Sequence, residues 1–298
     1  MRATRGRLFT VTERSPLAEF LRARREQLQP TDVGLRDSGR RRTPGLRREE
    51  VATLAGVSVD YLMRLEQGRD LNPSASVVLA LATALRLTET ERMHLGKLAA
   101  ISSAPQLCPS ASPLLHQVEP MVQTIIDRLD PTPAFVIGPA SHVLASNRSW
   151  RSLVEPLGVL ATAPYNLARF VLADPRAREV FPDWERVADE QVSRLRAASI
   201  RWGDDDTFAA LLDELGSLPA FTERWSTHSV AEKRRGTKRL AHPKVGELRL
   251  AYEVLLLPDE EQRLITWLPA DEATEAAMRI AIDDLPASPA RLRVVREA

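Results

Sequence analysis

The residues that offer the most specific chemistry lie in the stretch GVSVDYLMRLEQG, at positions 56–68. Its spacing predicts a short amphipathic helix in which Leu62 and Leu65 share one face. The open face carries polar, charged and apolar side chains together, namely Ser58, Val59, Asp60, Met63 and Arg64. A helix presented in this way fits the major groove of DNA, where its N-terminal residues can reach base edges.

The residues before this stretch predict the element that would hold it, a helix-turn-helix. Ala52 is small enough for the crossing of two helices, and Gly56 follows the first helix where a positive φ is needed. Val57 would fill the corner between the helices, while Val51 and Ala55 face the two leucines. The alternative for the same residues is an ordinary helical hairpin whose polar face meets water.

The distribution of charge favours DNA binding for the N-terminal part, although the whole chain of 298 residues has a formal charge of only +1. Residues 1–100 carry 18 basic and 12 acidic side chains, so the remainder is net acidic. Residues 1–48 alone hold 13 arginines against 5 acidic residues. A positive field at one end is expected of a nucleic-acid-binding domain.

Composition and the positions of turn-forming and helix-capping residues predict a multidomain chain. We expect an all-α helix-turn-helix domain at 1–100, a linker rich in Ser and Pro at 101–113, and an α+β domain at 114–298. Helix starts are predicted at Ser15 with Pro16, at Thr43 with Pro44, and at Ser58, Ser74 and Thr88. After the linker, strand-like runs flank a long helical middle.

Several motifs together resemble one family. LRREEVATLAGVSVDYLMRLEQGRDLNPS is similar to the XRE-type helix-turn-helix, and GRRRTPG before it narrows the resemblance to the MmyB-like bacterial transcriptional regulators. The resemblance continues in DPTPAFVIG, LADPRAREVFPDWERVA, HPKVGELRLAYEVL and LPDEEQRLITW. It implies a lambda-repressor-like DNA-binding domain and a C-terminal PAS-like domain that binds a small molecule, plausibly apolar or fatty-acid-like.

The resemblance also implies which side chains meet DNA. Val59, Asp60 and Arg64, with Met63 beside them, occupy base-reading positions. Arg64 could bind guanine O6 and N7, and Val59 could pack on a thymine methyl group. Asp60 could accept from cytosine N4 or, equally, form an (i, i+4) pair that directs Arg64.

The predicted phosphate contacts are basic or polar residues around the recognition helix. Arg48 stands where related proteins often carry a glutamine that contacts the backbone. For the run Arg40–Arg42, two alternatives to phosphate contact are insertion into the minor groove and a solvated loop. The full set comprises Arg40, Arg41, Arg42, Arg48, Ser58, Arg69 and Asn72.

The C-terminal half offers no catalytic motif and no metal-ligand spacing, so we predict neither an enzyme nor a metal site. Its five tryptophans favour an apolar pocket, although each of them is individually more typical of a core. GDDD at 203–206 is interpreted as a helix-capping loop, and RRG at 234–236 as a solvated turn. The pocket candidates are Phe135, Trp150, Phe170, Trp225, His228 and Tyr252, with His242 as a further family position.

The sequence therefore predicts a cytoplasmic, sequence-specific DNA-binding regulator with an operator and a small-molecule ligand as partners. A homodimer is expected because one short helix covers only a half-site. No apolar run is long enough for a membrane helix, and no cofactor is predicted beyond a fatty-acid-like ligand. Two alternatives are open: a C-terminal dimerisation or partner-binding scaffold without a ligand, and, more distantly, an enzyme with a DNA-binding appendage.

Overall fold

The computed structural model describes residues 15–35, 45–103, 117–203, 205–227, 234–257 and 261–282. Contacts group the chain into an N-terminal unit of residues 1–113 with 189–232 and a C-terminal unit of residues 114–188 with 233–298. This grouping differs from the expected division at 101–113, because part of the helical middle belongs with the N-terminal helices.

The N-terminal part of the first unit is entirely helical in its described residues, as expected. A turn of 3-10 helix at Pro30–Val33 follows the first helix. The α-helices are α1 (Pro16–Gln27), α2 (Arg48–Ala55), α3 (Val59–Glu66), α4 (Ala75–Ala84) and α5 (Glu89–Ser103).

Three of the predicted helix caps are present. The hydroxyl of Ser58 accepts from the backbone N–H of Tyr61 at 3.1 Å, and Ser74 caps α4 in the same manner. Before α5, Thr88 and Glu91 bond each other reciprocally, with the Glu91 carboxylate accepting from the Thr88 N–H at 2.8 Å. Each cap satisfies a backbone donor that the first helical turn leaves without a partner.

Three predicted boundaries need correction or lie outside the described residues. Ser15 precedes α1 but its side chain makes no capping bond. Helix α5 continues to Ser103, so the first three residues of the predicted linker are helical. Thr43 and Pro44 lie outside the described residues.

The predicted helix-turn-helix core is confirmed. Ala52 and Leu62 are each 1% exposed and Leu65 is fully buried, so the two helices approach at a small side chain and close over leucines. Gly56 ends α2 with a φ of 66°, the left-handed conformation that glycine adopts at least cost. Val57 packs on the same core.

Residues 189–227 complete the N-terminal unit. They comprise residues 189–202 of helix α10 (Trp184–Trp202), α11 (Asp206–Leu215) and α12 (Pro219–Ser226). Ala197 and Ile200 pack on the core of the first five helices. These contacts join segments far apart in the chain, which no local pattern predicts.

A five-stranded antiparallel sheet organises the C-terminal unit. Its strand order is β2-β1-β5-β4-β3. Four of the strands form at the strand-like runs of the sequence, namely AFVIG, HVLAS, GELRLAYEVLLL and QRLITWL. The bounds are β1 (Ala134–Ile137), β2 (Val143–Ser146), β3 (Arg235–His242), β4 (Gly246–Leu257) and β5 (Gln262–Pro269).

The turn predicted at RRG is wrong, because Arg235 and Gly236 begin β3. They pair with Glu253 and Tyr252 of β4. The strand lies at the edge of the sheet and its first residues are exposed. It therefore lacks the apolar alternation by which a half-buried strand is recognised.

Helices cover the sheet in the C-terminal unit. Helix α7 (Arg148–Val154) has Asn147 as its N-cap. The first five residues of α10 belong to this unit as well. None of the helices described has both the length and the apolar character that crossing a membrane requires. Besides the start of α10, the helices of this unit are α6 (Pro120–Arg128), α7 (Arg148–Val154), α8 (Leu167–Ala173), α9 (Ala177–Val180) and α13 (Glu272–Ile282).

Candidate functional site

Helix α3 presents the predicted open face to solvent. Val59 is 42% exposed, Ser58 and Asp60 are exposed, and Met63 is half-buried. The leucines on the opposite face are buried in the core, so α3 cannot rotate to hide these side chains. The geometry is that of a short helix held at its back and available at its N-terminal end.

Asp60 and Arg64 form the (i, i+4) ion pair that was one of the two roles considered for Asp60. Nη1 of Arg64 donates to Oδ2 of Asp60, and the guanidinium lies over the ring of Tyr61 at 5.6 Å from its centroid. Burial raises the pKa of the Tyr61 phenol. Because the pair is exposed, it stabilises the chain by only about 0.3–0.5 kcal/mol, and a base edge can replace it at little cost.

Arg48 is the first residue of α2 and reaches the C-terminal end of α3. Its Nε donates to Oε2 of Glu66 at 2.6 Å, while 43% of the Arg48 side chain stays exposed. Glu66 is itself buried and also accepts from Arg25 of α1, with Nε 2.6 Å from Oε1 and Nη2 3.2 Å from Oε2. The carboxylate thus joins three helices and fixes the direction of the Arg48 side chain.

The other predicted phosphate contacts lie around the same helix. Arg69 and Asn72 are exposed in the segment after α3, where the backbone N–H of Asn72 is 3.3 Å from Oδ1 of Asp70. Ser58 uses its hydroxyl as an acceptor in the helix cap, which leaves its hydroxyl proton for an outside acceptor. Arg40, Arg41 and Arg42 lie outside the described residues.

Two of the pocket candidates meet in an aromatic cluster on the sheet. Phe135 stacks on Trp150 with ring centroids 4.6 Å apart, and Trp267 lies 5.3 Å from Phe135. Trp150 is fully buried, and its indole N–H has no hydrogen-bond partner among the described residues. An unpaired buried donor costs about 1–3 kcal/mol, which makes this atom a candidate ligand contact.

A separate cavity of about 240 Å³ lies between the segment after α7 and helix α8. Phe170 lines it together with Asn166 and Arg169. Asn166 holds its wall in place, since Nδ2 donates to the carbonyl of Ala140 at 2.8 Å and Oδ1 accepts from the backbone of Arg169. The cavity has apolar and polar walls, as small-molecule sites commonly do.

The remaining pocket candidates differ in where they lie. Trp225 belongs to the N-terminal unit, where it stacks on Phe221 and lies under the guanidinium of Arg196. Tyr252 is half-buried on β4, opposite Trp267 of β5. His228 lies outside the described residues. Trp225 and the sheet aromatics are thus assigned to different units, and sequence gives no sign that the helix of Trp225 packs with the N-terminal helices.

His242 has a structural setting. It is 3% exposed, its Nδ1 accepts from the backbone N–H of Lys244 at 3.3 Å, and burial lowers its pKa. Among the described residues, no group of three or more His, Cys, Asp or Glu side chains is placed to hold a metal ion.

Comparison with known families agrees with this geometry. Residues 16–95 match the model of a helix-turn-helix domain, and residues 118–281 match that of the MmyB-like transcription regulator ligand binding domain. The chain belongs to the MmyB-like transcription regulators. A search of curated proteins found no match.

The two matches give this MmyB-like regulator a DNA partner and a small-molecule ligand at the level of the family. The helix-turn-helix match spans α1 to α4 and reaches into α5, so it includes the whole open face of α3. The ligand-binding match includes the sheet, the aromatic cluster and the 240 Å³ cavity.

Sequence reasoning missed the buried acid behind the DNA-binding face of this MmyB-like regulator. Neither Glu66 nor its partner Arg25 of α1 is among the site residues predicted from the sequence. The signal available was a glutamate in line with Leu62 at (i, i+4), on the apolar face where a charge demands a partner. Its partner on α1 could not be chosen among several arginines by spacing alone.

Proposed function

We propose that this MmyB-like regulator reads its operator with the open face of α3 and changes its DNA occupancy when its C-terminal domain binds an apolar ligand. Arg64 and Asp60 are the principal base contacts, with Val59 and Met63 beside them. Arg40, Arg41, Arg42, Arg48, Ser58, Arg69 and Asn72 are the proposed phosphate contacts. The observation that carries the proposal is the rigid, exposed N-terminal end of α3 above a buried leucine core.

The different settings of Arg64 and Arg48 support different roles. Arg64 projects from the middle of the recognition helix and is held by an exposed pair with Asp60 and by the ring of Tyr61. Arg48 begins α2 and is fixed by a buried carboxylate, which suits a contact that sets the position of the protein on the DNA backbone. We propose a homodimer on a two-fold-related operator, because α3 alone covers a half-site.

Separate substitutions of these two arginines test the roles. An operator is first selected from a random-sequence duplex pool with the full chain. Arg64→Ala should relax base preference at one position and cost about 1–3 kcal/mol on the selected site, with little effect on other duplexes. Arg48→Ala should weaken binding to all duplexes alike and flatten the salt dependence by about one phosphate contact. Fluorescence anisotropy at several salt concentrations measures both effects.

Equal losses of preference in the two variants would contradict the assignment of roles. Absence of any selected sequence, together with no duplex binding at low salt, would contradict the proposed function itself. Asp60→Asn separates the two roles of Asp60, because it removes the charge that holds Arg64 but keeps an acceptor oxygen. If preference is unchanged in Asp60→Asn, the pair with Arg64 has no part in recognition.

For the C-terminal domain we propose a PAS-like sensor of a ligand with an apolar body and an oxygen acceptor, such as a fatty acid. The buried indole N–H of Trp150 supports this chemistry, since a carboxylate or carbonyl oxygen would satisfy it. The rings of Phe135 and Trp267 around it suit an apolar chain. The proposal thus rests on one donor within an aromatic cluster.

Trp150→Phe is expected to weaken the binding of palmitate about tenfold while leaving the fold intact. The substitution keeps an aromatic ring but removes the donor, and a hydrogen bond to a charged acceptor is worth about 1.5–3 kcal/mol. Binding is measured as the ligand-induced shift in melting temperature of the full chain.

Trp184→Phe is the matched control, because the indole of Trp184 already donates to the carbonyl of Val171 at 2.8 Å. It should lower the melting temperature of the free protein but leave the palmitate shift unchanged. An equal palmitate shift in wild type and Trp150→Phe would exclude Trp150 as the acceptor's partner.

An alternative is favoured by a different observation. Leu255 and Leu256 of β4 and Leu268 of β5 are 51%, 42% and 48% exposed, and exposed apolar surface often marks a protein interface. On this alternative the domain is a dimerisation or partner-binding scaffold without a ligand. Native mass spectrometry of the purified chain separates the two, since a co-purified lipid supports the sensor and a ligand-free dimer supports the scaffold.

A further inference from the structure

The N-terminal unit has a cavity of about 390 Å³ beside the recognition helix. Three separate helices contribute to its wall: Arg22 lies in α1, Arg48 begins α2 and Glu66 ends α3, and Gln67 and Arg69 complete it. Three guanidinium groups from distant parts of the sequence therefore meet around one space. Two of them, Arg48 and Arg69, were predicted from sequence as phosphate contacts, whereas Arg22 was not.

The one acid in the wall does not cancel this positive charge. Glu66 is already paired with Arg25, whose buried guanidinium contacts both carboxylate oxygens and whose Nη1 donates to the carbonyl of Leu46 at 2.9 Å. Glu66 therefore serves as an anchor for Nε of Arg48 rather than as a free negative charge. The other nearby acid, Glu26, is 43% exposed and lies 3.9 Å from Nε of Arg22, so its effect on the cavity is screened by water.

The guanidinium groups also have the exposure that a ligand needs. The side chains of Arg22 and Arg48 are 40% and 43% exposed, and Arg69 is exposed. Arginine presents its donors as a planar fork that matches the oxygens of a phosphate group, so several forks around one space suit a phosphodiester with its two non-bridging oxygens. The space is large enough for one phosphate group.

We propose that this cavity receives one phosphate group of the DNA backbone, and that Arg22 binds it together with Arg48 and Arg69. The inference rests on the proposed DNA-binding function and deepens it, because it assigns a phosphate contact to α1, outside the two helices of the motif. Glu66 fixes Arg48 so that its terminal nitrogens face this group. The three contacts set the register of the protein on DNA and carry no base preference.

The test compares Arg22→Ala and Arg22→Lys with wild type on a mixed-sequence duplex, using the full chain. Arg22→Ala should weaken binding and reduce the slope of log K against log salt by about 0.9, the value for one phosphate contact. Arg22→Lys should restore the slope but only part of the affinity, because an ammonium group lacks the two-point fork. The side chain of Arg22 is 40% exposed, and its ion pair within the described part of the chain is the long contact with Glu26, so neither change should disturb the fold.

Lys97→Ala is the control, because it removes one exposed positive charge of the same unit outside the cavity. Wild type should bind duplex with a steep dependence on salt. If Arg22→Ala then has the same salt slope and affinity as Lys97→Ala, the phosphate site is overturned and the DNA-binding function stands. If wild type binds no duplex at low salt, the proposed function itself has failed.

A second measurement distinguishes a DNA phosphate from a free anion. Inorganic phosphate is added to the wild type and to Arg22→Ala at constant ionic strength, and the melting temperature is followed. On the proposal, inorganic phosphate should raise the melting temperature of both proteins only slightly, whereas Arg22→Ala should bind duplex more weakly than wild type. Stabilisation by phosphate that disappears in Arg22→Ala, with duplex binding unchanged, would assign the cavity to a free anion and overturn the proposal.

Discussion

Glu66→Gln is expected to lower the free energy of unfolding of the N-terminal unit by about 3–5 kcal/mol. The side chain of Glu66 is 1% exposed and that of its partner Arg25 is 6% exposed. A glutamine keeps the shape of the glutamate but leaves the buried guanidinium of Arg25 with no counter-charge other than Glu26, which is 43% exposed and 3.5 Å from Nη2. Removal of one partner from a buried pair is costly because the remaining charge is not resolvated.

Hydrogen exchange of the α1, α2 and α3 amides measures this effect within the N-terminal unit, and urea unfolding followed by circular dichroism gives the global value. Glu49→Gln is the matched control, since Glu49 is exposed on α2 and its substitution should change stability by less than about 0.5 kcal/mol.

The double variant Arg25→Leu with Glu66→Leu tests the mechanism rather than the size of the effect. An apolar pair of similar volume should recover much of the loss, because neither charge is then left buried alone. A loss in Glu66→Gln no larger than that of Glu49→Gln would mean that the pair contributes nothing to stability. A double variant less stable than Glu66→Gln would mean that the role is packing and not charge.

The elements that sequence predicted well are those whose signals are local. Ser58, Ser74 and the reciprocal bonds of Thr88 with Glu91 each lie within one helical turn of the groups that they serve. The pair between Asp60 and Arg64 is similarly one turn long. In all of these the geometry of a single helix decides the contact, so spacing suffices to predict it.

The features that could not be predicted from the sequence depend on packing between segments that are far apart in the chain. Arg25 and Glu66 are 41 positions apart, and Nε2 of Gln27 donates to the carbonyl of Thr227 across 200 positions. With several arginines on α1, only the three-dimensional arrangement selects the one that meets Glu66. The same holds for β3, which is a strand because β4 pairs with it and not because its own residues alternate.

The DNA-binding face and its support therefore form one structure with two levels. The outer level consists of the exposed residues of α3. These residues could be predicted from the motif, since they lie on one face of one helix. The inner level consists of the buried carboxylate of Glu66, its partner Arg25 and the carbonyl of Leu46 that receives Nη1 of Arg25. This buried group fixes the direction of Arg48. A substitution of Glu66 or Arg25 should therefore also alter the phosphate contact proposed for Arg48.

Gly45→Ala is expected to destabilise the N-terminal unit by about 4 kcal/mol or more, because two penalties coincide there. Gly45 has a φ of +73°, which costs an L-residue about 1–2 kcal/mol. In addition, a Cβ at this position would overlap the carbonyl oxygen of Glu26 and lie 2.5 Å from that of Arg25. Both are backbone atoms at the end of α1, so the clash cannot be relieved by a side-chain rotation.

Gly56→Ala provides a control that separates the two penalties. Gly56 has a φ of +66° but a Cβ there would meet nothing within 4 Å, so only the conformational cost of about 1–2 kcal/mol applies. Urea unfolding of both variants gives the comparison. Because the N–H of Leu46 donates to the carbonyl of Arg25 at 3.0 Å, displacement of Gly45 should also loosen Arg25 and weaken duplex binding. Equal stability of the two variants would show that the close approach of Gly45 to α1 contributes nothing, and would remove the link between this glycine and the buried pair.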